Sequence, residues 1–183
     1  MVVNPHIKFT YEDYKNVPES ETKRYELLGG ELLMAPAPIP YHQNISRRLF
    51  YSLYEHAREN DLGEVYYSPI DVVLSNEDVV QPDIVFISKD RLSIIREEAI
   101  HGAPDLLIEI LSPSTAERDR TLKKTLYARS GVKEFWIVDP VTKAIEVFTL
   151  TPQGYQLFKR FEVSQMLSSP LLAGMEIPLS EIF

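Results

Sequence analysis

The stretch Pro104–Leu111, PDLLIEIL, constrains this chain more than any other. Five of its eight residues are large aliphatics, and the carboxylate of Glu109 stands among them. A short apolar run bounded by turn signals reads as a strand buried on both faces. Period-2 alternation puts Leu107, Glu109 and Leu111 on one face and Leu106, Ile108 and Ile110 on the other. A buried carboxylate without a partner costs on the order of several kcal/mol. Glu109 therefore requires a cation or a proton, and the rest of the chain must supply it.

The elements around that strand follow from turn and cap signals. Thr10 to Asn16 predicts a short helix, with Thr10 as N-cap, Asp13 three residues on and Pro18 ending it. Tyr25–Met34, YELLGGELLM, predicts a hairpin around Gly29-Gly30, with Glu26, Leu28, Glu31 and Leu33 on one face. Pro36, Pro38 and Pro40 stiffen the next loop. His42 to about Asn60 reads as an amphipathic helix, with Ile45, Leu49 and Leu53 at i, i+4, i+8. Glu64–Ser75 and Val79–Ile87 predict two antiparallel strands joined by Asn76-Glu77-Asp78. Lys89–His101 predicts short helical turns.

After the Glu109 strand, Ser114-Thr115-Ala116-Glu117 matches a capping box, so a helix is expected from about Thr115 to Ser130, stopping at Gly131. Glu134–Val138 is the next strand. Strand–helix–strand implies a right-handed crossover between parallel strands. Ala144–Leu150 and Tyr155–Phe161 predict a last hairpin, and the apolar tail Pro170–Phe183 is expected to pack on the domain. The sum is an α/β chain with a mixed central sheet flanked by helices. A length of 183 residues suits one domain, 1–183.

Composition narrows the function classes. With no cysteine there is no disulfide, thiolate metal site or cysteine nucleophile. The start, MVVNPHIKF, lacks the basic and long apolar parts of a signal peptide, and no apolar run approaches the roughly 20 residues of a membrane span. A cytoplasmic protein, with no membrane contact, is the expectation. The net charge of −8 opposes a broad electrostatic grip on nucleic acid. Nucleic-acid chemistry would then depend on a local patch, a metal or a partner.

Three acids stand in or beside strands: Asp83, directly after Pro82; Glu109; and Glu26 in the first hairpin. Hard divalent cations take oxygen ligands, and Mg²⁺ uses one or two carboxylates while keeping several waters. Two acids at neighbouring strand ends supply such a site; the alternative is that Asp83 caps a turn or pairs with a surface lysine. Asp119, Lys123 and Tyr127 lie at i, i+4, i+8 on one helix face, beside an apolar stripe of Leu122 and Leu126. Lys123 either reaches Glu109 or forms a solvated pair with Asp119, worth a few tenths of a kcal/mol. His42 either contacts substrate phosphate, acts as a base, or caps its helix. The chain has no phosphate-cradling glycine loop, HExxH or nucleophile elbow.

Pro82-Asp83, Glu109 and a following lysine resemble the PD-(D/E)xK nuclease signature. RYELLGGELLMAPAP, His42, VVQPDIVFIS, PDLLIEILSPST, KKTLYARSGVKEFWIVDP and the apolar tail together resemble the Uma2 family, also called DUF820, of restriction-endonuclease-like proteins. The resemblance spans Thr10 to Phe183. It implies a restriction-endonuclease-like α/β core and Mg²⁺ or Mn²⁺ held by Asp83 and Glu109. It also implies Lys123 as the catalytic lysine, with Lys124 beside it as fallback, and Glu26 as an acid that orients a metal-bound water or joins the metal shell. His42, Lys124 and Tyr127 are candidate substrate contacts. The implied activity is a metal-dependent endonuclease acting on DNA, a homodimer if both strands of a duplex are to be cut. One departure stands out: Leu111 occupies the place of the superfamily lysine two residues after Glu109. A lysine displaced to the next helix has the length and flexibility to reach the same space. If it does not, the chain is a non-catalytic nuclease-fold module that binds a protein or nucleic acid.

Overall fold

The computed structural model describes residues 8–18, 24–35 and 37–183. Residues 1–7 of the amino-terminal stretch read above, and Pro36 of the proline loop, lie outside them. Thr10 caps α1 (Tyr11–Lys15) by a reciprocal box: its hydroxyl accepts from the Asp13 amide, and the Asp13 carboxylate accepts from the Thr10 N–H at 2.8 Å. β1 (Arg24–Leu28) and β2 (Glu31–Ala35) form the expected hairpin, with Glu26 opposite Leu33 and Leu28 opposite Glu31. Gly29 and Gly30 turn it with φ of 60° and 82°, the left-handed pair that a primed turn requires.

α2 (Pro40–Glu59) begins on proline and buries Ile45, Leu49, Leu53 and Ala57. Full burial of each leucine contributes on the order of 2 kcal/mol.

The two strands expected after α2 each divide. β3 (Gly63–Tyr67) pairs antiparallel with β6 (Ile84–Ser88), and β4 (Val72–Ser75) with β5 (Asp78–Val80). Pro69 and Pro82 lie at the breaks, where a residue without an N–H cannot continue a ladder. The long hairpin thus leaves one sheet and enters another, and Asp83 stands at that crossing. A 3₁₀ turn (Lys89–Ile94) and β7 (Ile100–His101) follow, then β8 (Leu106–Ile110). β9 (Glu134–Asp139), β10 (Ala144–Thr151) and β11 (Gly154–Glu162) complete the larger sheet.

That sheet has the order β11-β10-β9-β8-β6-β3, with β8 and β9 parallel and the other neighbours antiparallel. The second has the order β2-β1-β5-β4-β7. Leu106, Ile108 and Ile110 pack with α2 and with tail residues such as Leu172, Ile177 and Leu179. Leu107 and Leu111 pack on the opposite face, with Leu126 and Tyr127. The alternation read from PDLLIEIL is the one observed, so Glu109 points to the side covered by the crossover helix.

That helix departs from expectation. It runs as a short α-helical piece (Ala116–Arg118), a π-helical turn (Asp119–Lys123) and an α-helix (Lys124–Ser130), closed by Gly131 at φ 89°. The capping box does not form. Thr115 makes no side-chain cap bond, and the Ser112 hydroxyl instead lies 3.1 and 3.0 Å from those of Ser114 and Thr115. The wider π turn also breaks the expected apolar stripe: Leu126 is buried while Leu122 is exposed.

Candidate active site

Glu26 enters from the middle of β1 and is almost wholly buried. Its Oε1 accepts the Gln81 backbone N–H at 3.0 Å and lies 2.8 Å from Lys123 Nζ, and Arg118 Nη2 stands 3.4 Å from Oε2. Glu109, on β8, receives Lys123 Nζ at 3.0 Å and the Tyr127 hydroxyl at 2.5 Å, both on Oε1. Asp119 Oδ1 lies 3.6 Å from the same ammonium. Lys123 is therefore the hub of three buried carboxylates, its side chain only 4% exposed. The solvated-pair alternative for Asp119 and Lys123 is corrected: the π turn carries both inward.

The charges explain the protonation. Burial alone would depress the Lys123 pKa, but the charges of Glu109, Glu26 and Asp119 outweigh it and hold the ammonium well above its ordinary range. Burial drives Glu109 well above the ordinary carboxylate range; Lys123 pulls it back, while Asp119, Asp83 and Glu26 push it further up. Burial also raises Asp119 against the pull of Lys123. Three carboxylates against one ammonium and the nearby Arg118 guanidinium leave the cluster one cation short, and that shortage adds to burial in raising Glu109.

Asp83 is fixed by backbone. Its N–H donates to the Ile108 carbonyl at 3.1 Å, and its Oδ2 accepts the Ile110 N–H at 2.7 Å. His42 Nε2 lies 3.3 Å from the same Oδ2 and 3.1 Å from the Ile110 carbonyl oxygen. Both are acceptors, so Nε2 carries the proton. Burial opposes charging of this imidazole, but the hydrogen bond and charge of Asp83, with the Ile110 carbonyl, outweigh it and raise its pKa. His42 is thus tied to the Asp83 end of the cluster and does not cap α2; the residue before the helix is Ile39.

Asp83, Glu109, Glu26, Lys123 and His42 all line one cleft of about 570 Å³. Two other candidates do not. Lys124 turns away, its Nζ 3.7 Å from the centre of the Phe148 ring, and lines a separate groove beside the β10–β11 turn. Tyr127 is completely buried and supports Glu109 from behind, so its expected substrate contact is corrected to an internal one. Arg118, Asp119 and the Gln81 amide were not singled out for the site from sequence. Asp119 was visible four residues before Lys123, but neither its burial nor the π turn has a local sequence signature.

The donor chemistry fits a hard cation. Among the described residues no group of three or more His, Cys, Asp or Glu side chains is placed to cage a metal. Mg²⁺, however, commonly takes one or two carboxylates and keeps its waters. Asp83, Glu109 and the Ile110 backbone carbonyl offer oxygen at the cleft, in a cluster short of positive charge.

A mixed α/β fold with acids from β1, β8 and the start of β6, and a crossover-helix lysine in the same cleft, has the restriction-endonuclease-like layout. The family model of Uma2, described as "Putative restriction endonuclease", matches residues 11–180, and the chain belongs to that family. An uncharacterized protein of Synechocystis is 25% identical over 167 residues, 89% of this chain and 85% of the relative. The fold is shared with a crystal structure titled "a putative nuclease belonging to DUF820" from Anabaena variabilis, with TM-score 0.78 and 19% identity over 96% of this chain and 97% of that one. No helix among the described residues is long and apolar enough to cross a membrane.

Proposed function

We propose that the cleft hydrolyses phosphodiester bonds of DNA with the help of Mg²⁺ or Mn²⁺. The observation that carries this reading is the meeting of Lys123 with Glu109 and Glu26 in the cleft that Asp83 also lines. Asp83, Glu109 and the Ile110 carbonyl would hold the metal, which when bound polarises the scissile phosphate and lowers the pKa of its water. Lys123 supplies the fixed positive charge absent at Leu111 and keeps the Glu26 and Glu109 carboxylates in one orientation. Charge placed in advance beside a developing oxyanion is worth about 10²–10³ in rate. Glu26, held by the Gln81 N–H, orients the attacking water. His42 holds Asp83 in register with the Ile110 carbonyl.

A second reading, a nuclease-fold module that binds without cutting, draws on the net charge of −8 and on an ammonium already engaged by three carboxylates. Nicking of circular DNA, supplied both as plasmid and as a single strand, separates the two. Wild type with Mg²⁺ or Mn²⁺ at low salt is expected to nick, chelator is expected to stop it, and Asp83→Asn and Glu109→Gln are each expected to lose at least about 10² in rate. Wild type that binds the metal yet cuts neither DNA nor RNA would leave only the binding module.

A further inference from the structure

The outer face of α2 carries a feature that the cleft chemistry does not use. Arg47, Tyr51, Tyr54 and Arg58 fall at i, i+4, i+7 and i+11, one stripe along the helix. All four are exposed; Tyr51 is 61% and Tyr54 42% open to solvent. The eleven-residue span is roughly 16 Å at the helical rise. Beside it the Tyr54 ring stacks on Phe50 at 5.8 Å, and Phe50 meets Tyr67 edge to face at 4.8 Å, with Tyr67 itself 59% exposed. Single exposed tyrosines are ordinary; a contiguous aromatic patch flanked by cations marks an interaction surface.

The charges favour one occupant. Arg91, Arg118, Arg120, Arg129 and Arg160 all pair with carboxylates. Arg47 and Arg58 meet none among the described residues; Arg47 has only the Asn44 side-chain oxygen at 3.5 Å, while the one carboxylate touching the stripe, Glu55, accepts from the Tyr51 hydroxyl at 3.4 Å. The patch is joined to the cleft along the chain. Tyr67 is followed by Ser68, which lines the cleft and accepts a hydrogen bond from Arg24 at 2.8 Å. The cleft mouth itself is apolar and aromatic, with Ile39, Tyr41 and Val141 exposed around it.

We infer that this stripe binds an unpaired nucleic-acid strand and leads it into the cleft past Tyr67 and Ser68. Aromatic faces stack on bare base faces, which a duplex keeps inside its own stack. An acidic chain with two unpaired stripe arginines neutralises few phosphates, so stacking must carry most of the affinity, and that is available only from a single strand. The inference deepens the nuclease reading by naming the form of its substrate: the binding rests on the stripe alone, and the entry of the strand into the active cleft rests on that reading. One cut in one strand needs one site, so the pair of chains implied for duplex cleavage is not required.

The test is fluorescence anisotropy of a labelled single strand, as DNA and as RNA, against the matching duplex, in chelator so that nothing is cut. The expected result is single-strand affinity at least about tenfold above the duplex, falling about tenfold or more in Tyr51→Ala/Tyr54→Ala. Arg47→Ala should weaken binding and flatten its salt dependence. Binding to one sugar only, with the same loss in the tyrosine variant, supports the inference and fixes DNA or RNA. Equal duplex binding, an unaffected tyrosine variant, or no nucleic-acid binding overturns it. Adding Mg²⁺ to the same strands separates the two claims. Duplex cut as fast as single strand sinks the inference alone; stripe-dependent binding without cleavage of any strand sinks the nuclease reading alone.

Discussion

Glu109 is the residue on which the site turns. Burial, with Asp119, Asp83 and Glu26, pushes its carboxyl well above the ordinary carboxylate range, against the pull of Lys123. A raised folded-state pKa means that the folded protein binds the proton more tightly than the unfolded chain. The associated stability is fully present below the unfolded value, near 4.5, and is lost as pH rises through the folded one. Glu109→Gln keeps an acceptor for Lys123 and Tyr127 but cannot ionise. In metal-free buffer the variant should match wild type near pH 4.5 and melt increasingly above it as pH rises. Thermal denaturation of both proteins across that range checks this; a variant less stable than wild type at pH 8 would contradict the cluster's charge balance.

At the scale of elements, one buried acid joins three of them. Asp105, just before β8, accepts the Ser88 amide and hydroxyl at 2.9 and 2.8 Å and meets Arg91 at 3.0 Å and Lys133 at 2.7 Å. Burial pushes its pKa up, but Lys133, Ser88 and Arg91 outweigh it and lower it below the ordinary value. Asp105→Asn leaves the end of β6 and the 3₁₀ turn without their anchor and should cost about 2–4 kcal/mol at neutral pH. For a depressed pKa the stability is present above the unfolded value, 3.8, and lost as pH falls through the lower folded one, so the gap between variant and wild type should hold at about pH 4 and above and narrow only as pH falls below 3.8. Urea denaturation at pH 7 and at steps of falling pH below 3.8 measures it, and a gap that does not narrow along that series would mean that Asp105 acts through packing alone.

The elements also show what was legible. The faces of β8, the Gly29-Gly30 turn and the Gly131 stop follow from period and turn chemistry, whereas spacing left Lys123 open between Glu109 and a solvated pair with Asp119, and only the resemblance pointed it to the site. Two features did not follow from the sequence. The division of the β3–β6 hairpin depends on which ladder each half joins, a tertiary choice that Pro69 and Pro82 only permit. The π turn goes with the burial of Asp119, the exposure of Leu122 and the direction of Lys124, and its side chains meet Glu109 and Glu26 only in the folded chain. An ideal helix drawn through Thr115–Ser130 keeps Asp119 with Lys123 and Tyr127 but wrongly sets Leu122 beside the buried Leu126.

At the scale of the whole molecule, two sheets meet where Asp83 stands, and the cluster there is short of positive charge. A divalent cation that binds only the folded chain raises stability by mass action, about 2.7 kcal/mol at one hundred times its dissociation constant. For a chain of this size that is roughly 5–10 °C in melting temperature. Mn²⁺ or Mg²⁺ should give such a rise in wild type and none in Asp83→Asn/Glu109→Gln. An equal rise in the double variant would put the ion elsewhere.

Lys123, from the crossover helix, is proposed to do the work of the lysine missing at Leu111. That role is tested most directly by the nicking rates of Lys123→Met and Lys124→Ala against wild type, with Mg²⁺ and low salt. Lys123→Met removes the ammonium shared by three buried carboxylates, leaving only Arg118 beside Glu26, and should cost about 3–5 kcal/mol, so its native circular dichroism is confirmed at the assay temperature. The expected result is a loss of at least about 10² in rate for Lys123→Met and wild-type nicking for Lys124→Ala, whose ammonium lies on the Phe148 ring outside the cleft. A folded Lys123→Met that nicks at the wild-type rate would contradict the claim.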